Sequence, residues 1–298
     1  MIIISYLLLG TLLKRTRKLP SDFSNSLNLF VIYVSLPALI LVKVPHILLD
    51  ADVWATVAMP WLMILFSASV VLLCSRLCRW SRQVTGCLLL MCSLGNTSFL
   101  GIPMVRAFFG EKAVAYAMLY DQLGSFLALS TYGTFIIALF SDNDAEGPSL
   151  QQIAVKIVTF PPFIALLTAF LLRGLTYPAP VERLLADLGA TLIPVVMIAV
   201  GYQLHIRLSQ DRFTPLVAGL GIKLVLSPLA ALLFAQAFGL KGLAVKVAVF
   251  EAGMPPMVSA GALAILAKLA PRLTAALVGL GIFLSFMTLP LLYQLIHH

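Results

Sequence analysis

Gly95-Asn96-Thr97-Ser98-Phe99-Leu100-Gly101-Ile102-Pro103 interrupts an otherwise apolar segment covering residues 84–109. A helix in lipid keeps its backbone closed, because each unsatisfied N–H or C=O in hydrocarbon costs several kcal/mol. Two glycines and a proline break that ladder here, beside three small polar side chains. Proline removes a donor and its ring clashes with the preceding turn, so the simplest reading puts the break near Ile102. Backbone opened at that depth persists only where protein or a water-filled cavity covers it. The segment at residues 242–268 carries the same defect, in Glu251-Ala252-Gly253-Met254-Pro255-Pro256-Met257-Val258-Ser259-Ala260-Gly261. Two interrupted apolar segments at corresponding places in two halves of a chain are the pattern that marks a carrier's binding site.

The rest of the chain agrees with a lipid environment. Of its 298 residues, 61% are hydrophobic and 11% charged, against about 45–50% and about 25% in soluble domains. Long continuous apolar runs, not short alternating ones, select helices over a barrel. The fold class expected is therefore an all-α integral membrane protein. The net charge of +8 sits in short connectors between apolar runs, which excludes a nucleic-acid surface and fits the positive-inside rule. Cys74, Cys78, Cys87 and Cys92 form no C-x-x-C pair and have no nearby histidine. They read as small buried hydrophobes, not as zinc ligands.

In chain order, helices are expected over residues 2–13, 23–44, 53–77, 84–109 (broken), 113–140, 151–172 (interrupted at Pro161-Pro162), 181–205, 214–238, 242–268 (broken) and 271–296. The first run is short for a span of roughly 20 residues. Its charges Lys14, Arg15, Arg17 and Lys18 follow it, unlike a signal peptide's. This suggests that a few residues are missing at the start. The polar loop from Ser141 to Pro148 separates two halves, residues 1–140 and 151–298, with 141–150 as linker. Pro20 precedes Pro37 by 17 positions as Pro178 precedes Pro194 by 16, and Pro37 precedes Pro103 by 66 as Pro194 precedes Pro255 by 61. Five helices is an odd number, so two copies insert with opposite orientation. The expectation is ten transmembrane helices in two inverted five-helix repeats, with helices 4 and 9 as broken crossovers. With both termini outside, the inner connectors hold Lys14, Arg15, Arg17, Lys18, Arg76, Arg79, Arg82, Lys156, Arg207, Arg212, Lys268 and Arg272; the outer ones hold Lys43, Arg106, Lys112, Arg173, Arg183 and Lys241. That asymmetry supports the orientation.

The chemistry-bearing residues gather at the two breaks. Asn96, Thr97 and Ser98 either satisfy freed backbone or line a cavity whose half-helix ends present dipoles to ions. Asp121 and Ser125 are four apart on the fifth helix and share a face. Glu251 opens the second crossover. An intramembrane carboxylate is a functional candidate by default, and the plainer alternative is an ion pair with Lys223 or Lys246, Lys223 being the deeper. Glu251 is expected to bind a coupling cation or a proton. An intramembrane aspartyl protease needs two aspartates sharing a proton, and no second one lies deep within an apolar segment; no enzymatic activity is expected. Pro37, Pro194 and Pro161-Pro162 read as kinks or hinges, His205 as interfacial, and Ser259 and Gly261 as cavity-lining or close-packing residues.

Leu36-Pro37-Ala38-Leu39, the stretch Gly95 to Pro103, Tyr120-Asp121-Gln122 and Glu251 to Met257 together resemble the auxin efflux carrier family in its short bacterial form, over nearly the whole chain. The resemblance implies a scaffold of helices 1, 2, 6 and 7, and a moving core of helices 3–5 and 8–10. It also implies an elevator-like motion and a homodimer made through the scaffold in the cell (inner) membrane. It implies a small organic anion as substrate, with auxin, malonate and malate among the family's substrates. The chain lacks the long central hydrophilic loop of the plant carriers and any charge within helix 3. Substrate-binding candidates on this basis are Asn96, Thr97, Ser98, Pro103, Gln122, Pro255, Pro256 and Ser259. Glu251, Asn96 and Ser125 are similar to the sodium site of bile-acid symporters, so the ion-coupling candidates are Glu251, Asp121, Ser125 and Asn96. A sodium ion or a proton would serve as coupling ion, and no other cofactor is expected. A channel, or a receptor or scaffold without transport, remains the alternative.

Overall fold

A proline within a helix can be accommodated by widening the turn before it. This chain does so repeatedly. Wide π-helical turns at Val31–Ser35, Thr97–Gly101 and Ile222–Leu226 are each followed, two residues on, by Pro37, Pro103 and Pro228. The wider turn moves the carbonyl that a proline ring would strike and absorbs the missing donor. The helix therefore continues through Pro103. The break in this segment lies earlier, at Leu94-Gly95-Asn96, which corrects the placement near Ile102.

The computed structural model describes residues 2–16, 18–20, 22–47, 53–141, 149–203 and 213–297. Its helical segments are α1 (Ile2–Thr16), α2 (Phe23–His46), α3 (Val53–Cys78), α4a (Arg82–Ser93), α4b (Thr97–Phe109), α5 (Glu111–Phe140), α6a (Leu150–Val158), α6b (Pro161–Leu171), α7 (Ala179–Gln203), α8 (Phe213–Ala237), α9a (Leu243–Ala252), α9b (Val258–Leu266) and α10 (Pro271–His297). Most of Ser141 to Pro148, together with Arg17, His205, Arg207 and Arg212, lies outside the described residues. Among those described, α2, α3, α5, α7, α8 and α10 are each long and apolar enough to cross a membrane. The pair α6a–α6b, bent by 62° at Phe160-Pro161-Pro162, makes a seventh if it is one span.

Packing follows small residues and apolar faces. The helices α1 and α7 lie against each other where Gly10 faces Ile198 and Gly201 faces Leu7. A Cβ on Gly10 would fall 2.9 Å from the Ile198 carbonyl carbon and closer still to its oxygen. A Cβ on Gly201 would meet the Leu7 carbonyl in the same way, so this crossing requires glycine on both helices. The second half of α2 packs on α6b and α7, and Ser35 Oγ shares a hydrogen bond of 2.7 Å with Thr191 Oγ1 at the kink in α7. The other helices form a second set of contacts. There α3 packs on α4a, α5 and α9a, α8 on α4a and α9a, and α10 on α4a, α9a and α9b. Buried Leu88, Leu90, Met91 and Phe250 fill the interior around the broken helices. Cys87 and Cys92 are buried as expected, Cys74 is half-buried, and Cys78 is exposed, a correction to its assignment as a core residue.

Candidate functional site

The two breaks meet. Gly95 and Pro256 form an antiparallel bridge in which Asn96 N–H donates to the Pro255 carbonyl at 2.8 Å and Met257 N–H donates to the Leu94 carbonyl at 3.0 Å. Each break thus supplies the partners that the other's open backbone needs, which is how irregular backbone is tolerated at membrane depth. The Asn96 carbonyl goes on to accept from Leu100 and Gly101 N–H and so starts the wide turn of α4b. In the second break Pro255 and Pro256 lie between the end of α9a and the start of α9b, where no helical donor is required.

Four half-helix ends converge here, and buried charges of matching sign sit against them. Asp121 is 1% exposed. Its Oδ1 accepts from Thr97 Oγ1 and Ser98 Oγ, both at 2.5 Å, and its Oδ2 from Gln122 Nε2 at 2.7 Å. Thr97 and Ser98 open α4b, so this carboxylate faces the positive end of a helix dipole. On the other side, buried Lys223 of α8 donates from Nζ to the Ala252 carbonyl at 3.1 Å, at the negative end of α9a. The same Nζ would lie 3.2 Å from a Cβ on Gly95, so glycine there leaves room for the ammonium. Lysine thus bonds backbone and makes no hydrogen bond to Glu251, correcting the plainer expectation that pairs the two.

Glu251 has no such partner. It is fully buried in the last turn of α9a, and both carboxylate oxygens lack a hydrogen-bond partner among the described residues. Its carboxyl group lies over Gly101, where a Cβ would fall 2.6 Å from Oε1 and 2.8 Å from Cδ. The wide turn of α4b therefore seats this side chain, and glycine at 101 leaves room for its carboxylate. Among the described residues, Asn96 Nδ2, a donor, Gln122 Oε1, an acceptor, and Ser130 Oγ are also buried without a hydrogen-bond partner.

A cavity of about 360 Å³ adjoins the crossing. Asn96, Ser98, Asp121, Ser130, Met257 and Ser259 line it from α4, α5 and α9b, and Ile32, Leu36, Lys156 and Phe160 close it from α2 and α6. Phe126 and Phe160 stack with ring centroids 3.9 Å apart across this junction. Of the sequence candidates, Asn96, Ser98, Asp121 and Ser259 reach the cavity. Thr97 and Gln122 stand behind it as supports of Asp121, while Pro103, Pro255, Pro256, Ser125 and Glu251 do not line it. Ser125 is buried within a wide π-helical turn at Tyr120–Phe126, whose backbone hydrogen bonds run from i to i+5. The sequence reading missed Gly101, Ser130 and Lys156. Gly101 was visible as a small residue, Lys156 only as a topology charge, and nothing in the sequence marked Ser130. No group of three or more His, Cys, Asp or Glu side chains that would hold a metal occurs among the described residues.

A family model described as membrane transport protein matches residues 1–293 of this chain. The chain is similar to an uncharacterized transporter of Methanothermobacter thermautotrophicus, with 27% identity over 288 residues that cover 95% of this chain and 93% of the relative. It is also similar to the uncharacterized transporter MJ1031 of Methanocaldococcus jannaschii, with 26% identity over 265 residues, 86% of this chain and 84% of the relative.

Proposed function

The chain belongs to the membrane transport protein family, the auxin efflux carrier family whose motifs it carries, and from that premise we propose that it is a secondary active transporter of a small organic anion. The substrate class is a carboxylate such as malonate, malate or an auxin-like acid. The observation that carries this reading is the hydrogen-bonded crossing of two broken helices beside a cavity that is walled from both sets of packed helices. A site built between two packed bodies changes its access when one body slides, and this favours an elevator motion of α3–α5 and α8–α10 against α1, α2, α6 and α7. In this reading the helices are ten spans in two inverted repeats, the chain is a multi-pass protein of the cell membrane with both termini outside, and the scaffold helices make a homodimer.

Roles follow from the geometry. Asn96 Nδ2, buried and unpartnered on the cavity wall, donates to the substrate carboxylate, and Ser98, Ser130 and Ser259 offer further hydroxyls. Asp121 is held by three hydrogen bonds at a helix N-terminus, so it organises the crossing and leaves the anion to its neighbours. The two bare oxygens of Glu251 suit a hard monovalent cation or a proton. Such a charge supplies the counter-charge that makes a carboxylate buried in apolar surroundings tolerable. The test is uptake of radiolabelled malonate, malate and indole-3-acetate into proteoliposomes under an imposed sodium or proton gradient. Gradient-driven accumulation of one of them is expected, and Glu251→Gln abolishes it while the protein stays folded in detergent. Coupled uptake that survives unchanged in Glu251→Gln removes the coupling role. Binding without flux makes the protein a receptor, and flux without exchange of labelled for unlabelled substrate makes it a channel.

A further inference from the structure

A second feature lies along the same junction, at the far end of α2. The cavity meets α2 at Ile32 and Leu36, in the middle of that helix. Beyond it, buried Leu39 and Ile40 pack in the apolar core with Val114 to Leu119 of α5 and shut the junction. About one helical turn further on, at roughly 1.5 Å of rise per residue, a separate crevice of about 660 Å³ opens. Lys43, His46, Glu111, Lys112, Glu182 and Leu243 line it, from α2 and α7 on one side and from α5 and α9a on the other. Glu111 follows the turn at Gly110, whose φ of 81° lets α4b reverse into α5. Its carboxylate bridges the two sides: Lys43 Nζ of α2 is 2.9 Å from Oε2, and Arg106 Nε of α4b pairs with Oε1. Glu111 is half exposed, so water can compete for every one of these bonds.

We propose that Lys43, Glu111 and Arg106 form an ion-pair gate across the second mouth of the pathway, and that Lys43 and Arg106, once released from Glu111, meet the carboxylate of the substrate crossing that mouth. This rests on the transport reading above and extends it to residues outside the central cavity. Three observations carry it. The pair Lys43–Glu111 joins the two sets of helices that an elevator motion separates. It spans a crevice that continues the line of the cavity beyond an apolar plug. Finally, two cations converge on one internal carboxylate, the group that an organic anion would also present. Exposed pairs of this kind are weak individually. That suits a gate, which has to open at thermal cost.

The experiment uses the full chain in proteoliposomes, with Cys74 and Cys78 replaced by serine and a reporter Ala115→Cys on the crevice wall. The rate of labelling by a membrane-impermeant maleimide reads the opening. Lys43→Gln and Glu111→Gln are each expected to speed labelling about two- to fivefold, the range an exposed pair supports. The exchanged pair, Lys43→Glu with Glu111→Lys, returns the rate toward that of the parent. With whichever of radiolabelled malonate, malate and indole-3-acetate the parent moves presented on the crevice side, Lys43→Gln raises KM, whereas Glu111→Gln leaves it the same or lower, a split that a purely structural pair would not produce. Labelling that is unchanged in both single variants, or an exchanged pair as open as either one, overturns the gate. A KM raised equally by both single variants overturns the recruitment role. A parent that moves none of malonate, malate and indole-3-acetate counts against the transport reading, while the labelling rates still decide the gate.

Discussion

Placing a single methyl group at Gly101 tests the seat of Glu251 directly. In Gly101→Ala the new Cβ would lie 2.6 Å from Glu251 Oε1 and 2.8 Å from Cδ, with Oε2 nearer still. Glu251 is fully buried, so its carboxylate has little room to retreat from a methyl group on Gly101. Overpacking of this kind costs about 1–3 kcal/mol, and alanine's better helix propensity returns at most about 1 kcal/mol. The net is a loss of about 0–3 kcal/mol, or up to several degrees in melting temperature at about 2–4 °C per kcal/mol for larger chains. The sign in a second background separates this cause from any other. In Glu251→Ala the obstructing carboxylate is gone, so adding Gly101→Ala removes no contact and fills part of the space. There it is expected to be neutral or stabilising by up to about 1 kcal/mol. The assay is a thermal melt in detergent of the parent, both single variants and the double variant, read as a double-mutant cycle. A coupling near zero, with Gly101→Ala costing the same in both backgrounds, would refute the claim that glycine is there to seat Glu251.

Other perturbations have equally definite outcomes. Asp121→Ala strands the hydroxyls of Thr97 and Ser98 and the amide of Gln122; hydrogen bonds to a charged group contribute about 1.5–3 kcal/mol each, so a melt should show the largest loss among the polar variants. Lys223→Met keeps the volume but leaves the Ala252 carbonyl bare, a cost of about 1–3 kcal/mol, and substrate-free stability measured by denaturation should fall accordingly. Gly201→Ala drives a methyl into the Leu7 carbonyl, which backbone hydrogen bonding holds in place. It should destabilise by about 1–3 kcal/mol and loosen α1, seen as faster proteolysis near the N-terminus.

How much of this was legible in the sequence depends on what each residue type constrains. Apolar length fixed the helices to within a few residues, since a run such as 53–77 has nowhere else to bury itself, and α3 indeed spans Val53–Cys78. Glycines and prolines marked both broken segments. Proline misled on position, because Pro103 is carried by a widened turn, and it is Gly95-Asn96 that opens the chain to meet Pro255-Pro256. The buried charges were visible, but their partners were not. Lys223 reaches a carbonyl and Asp121 two hydroxyls at another helix's start, contacts that depend on how helices cross and not on spacing along any one of them. Lys156 and Phe160 join the cavity only because α6 bends by 62° over it. The pairing of Lys43 with Glu111 likewise needs the tertiary fold.

In the proposed transport cycle, one cavity beside the crossed breaks opens to each side of the membrane in turn. Ser259 lines that cavity and is exposed in it, so Ser259→Cys, with Cys74 and Cys78 replaced by serine, reports access. The measurement is its labelling by an impermeant maleimide applied to either side of oriented vesicles, with the sodium or proton gradient imposed in each direction. Reversal of the gradient should move reactivity from one side to the other, with low reactivity on the opposite side each time. Simultaneous access from both sides, or access that never leaves one side, would contradict it.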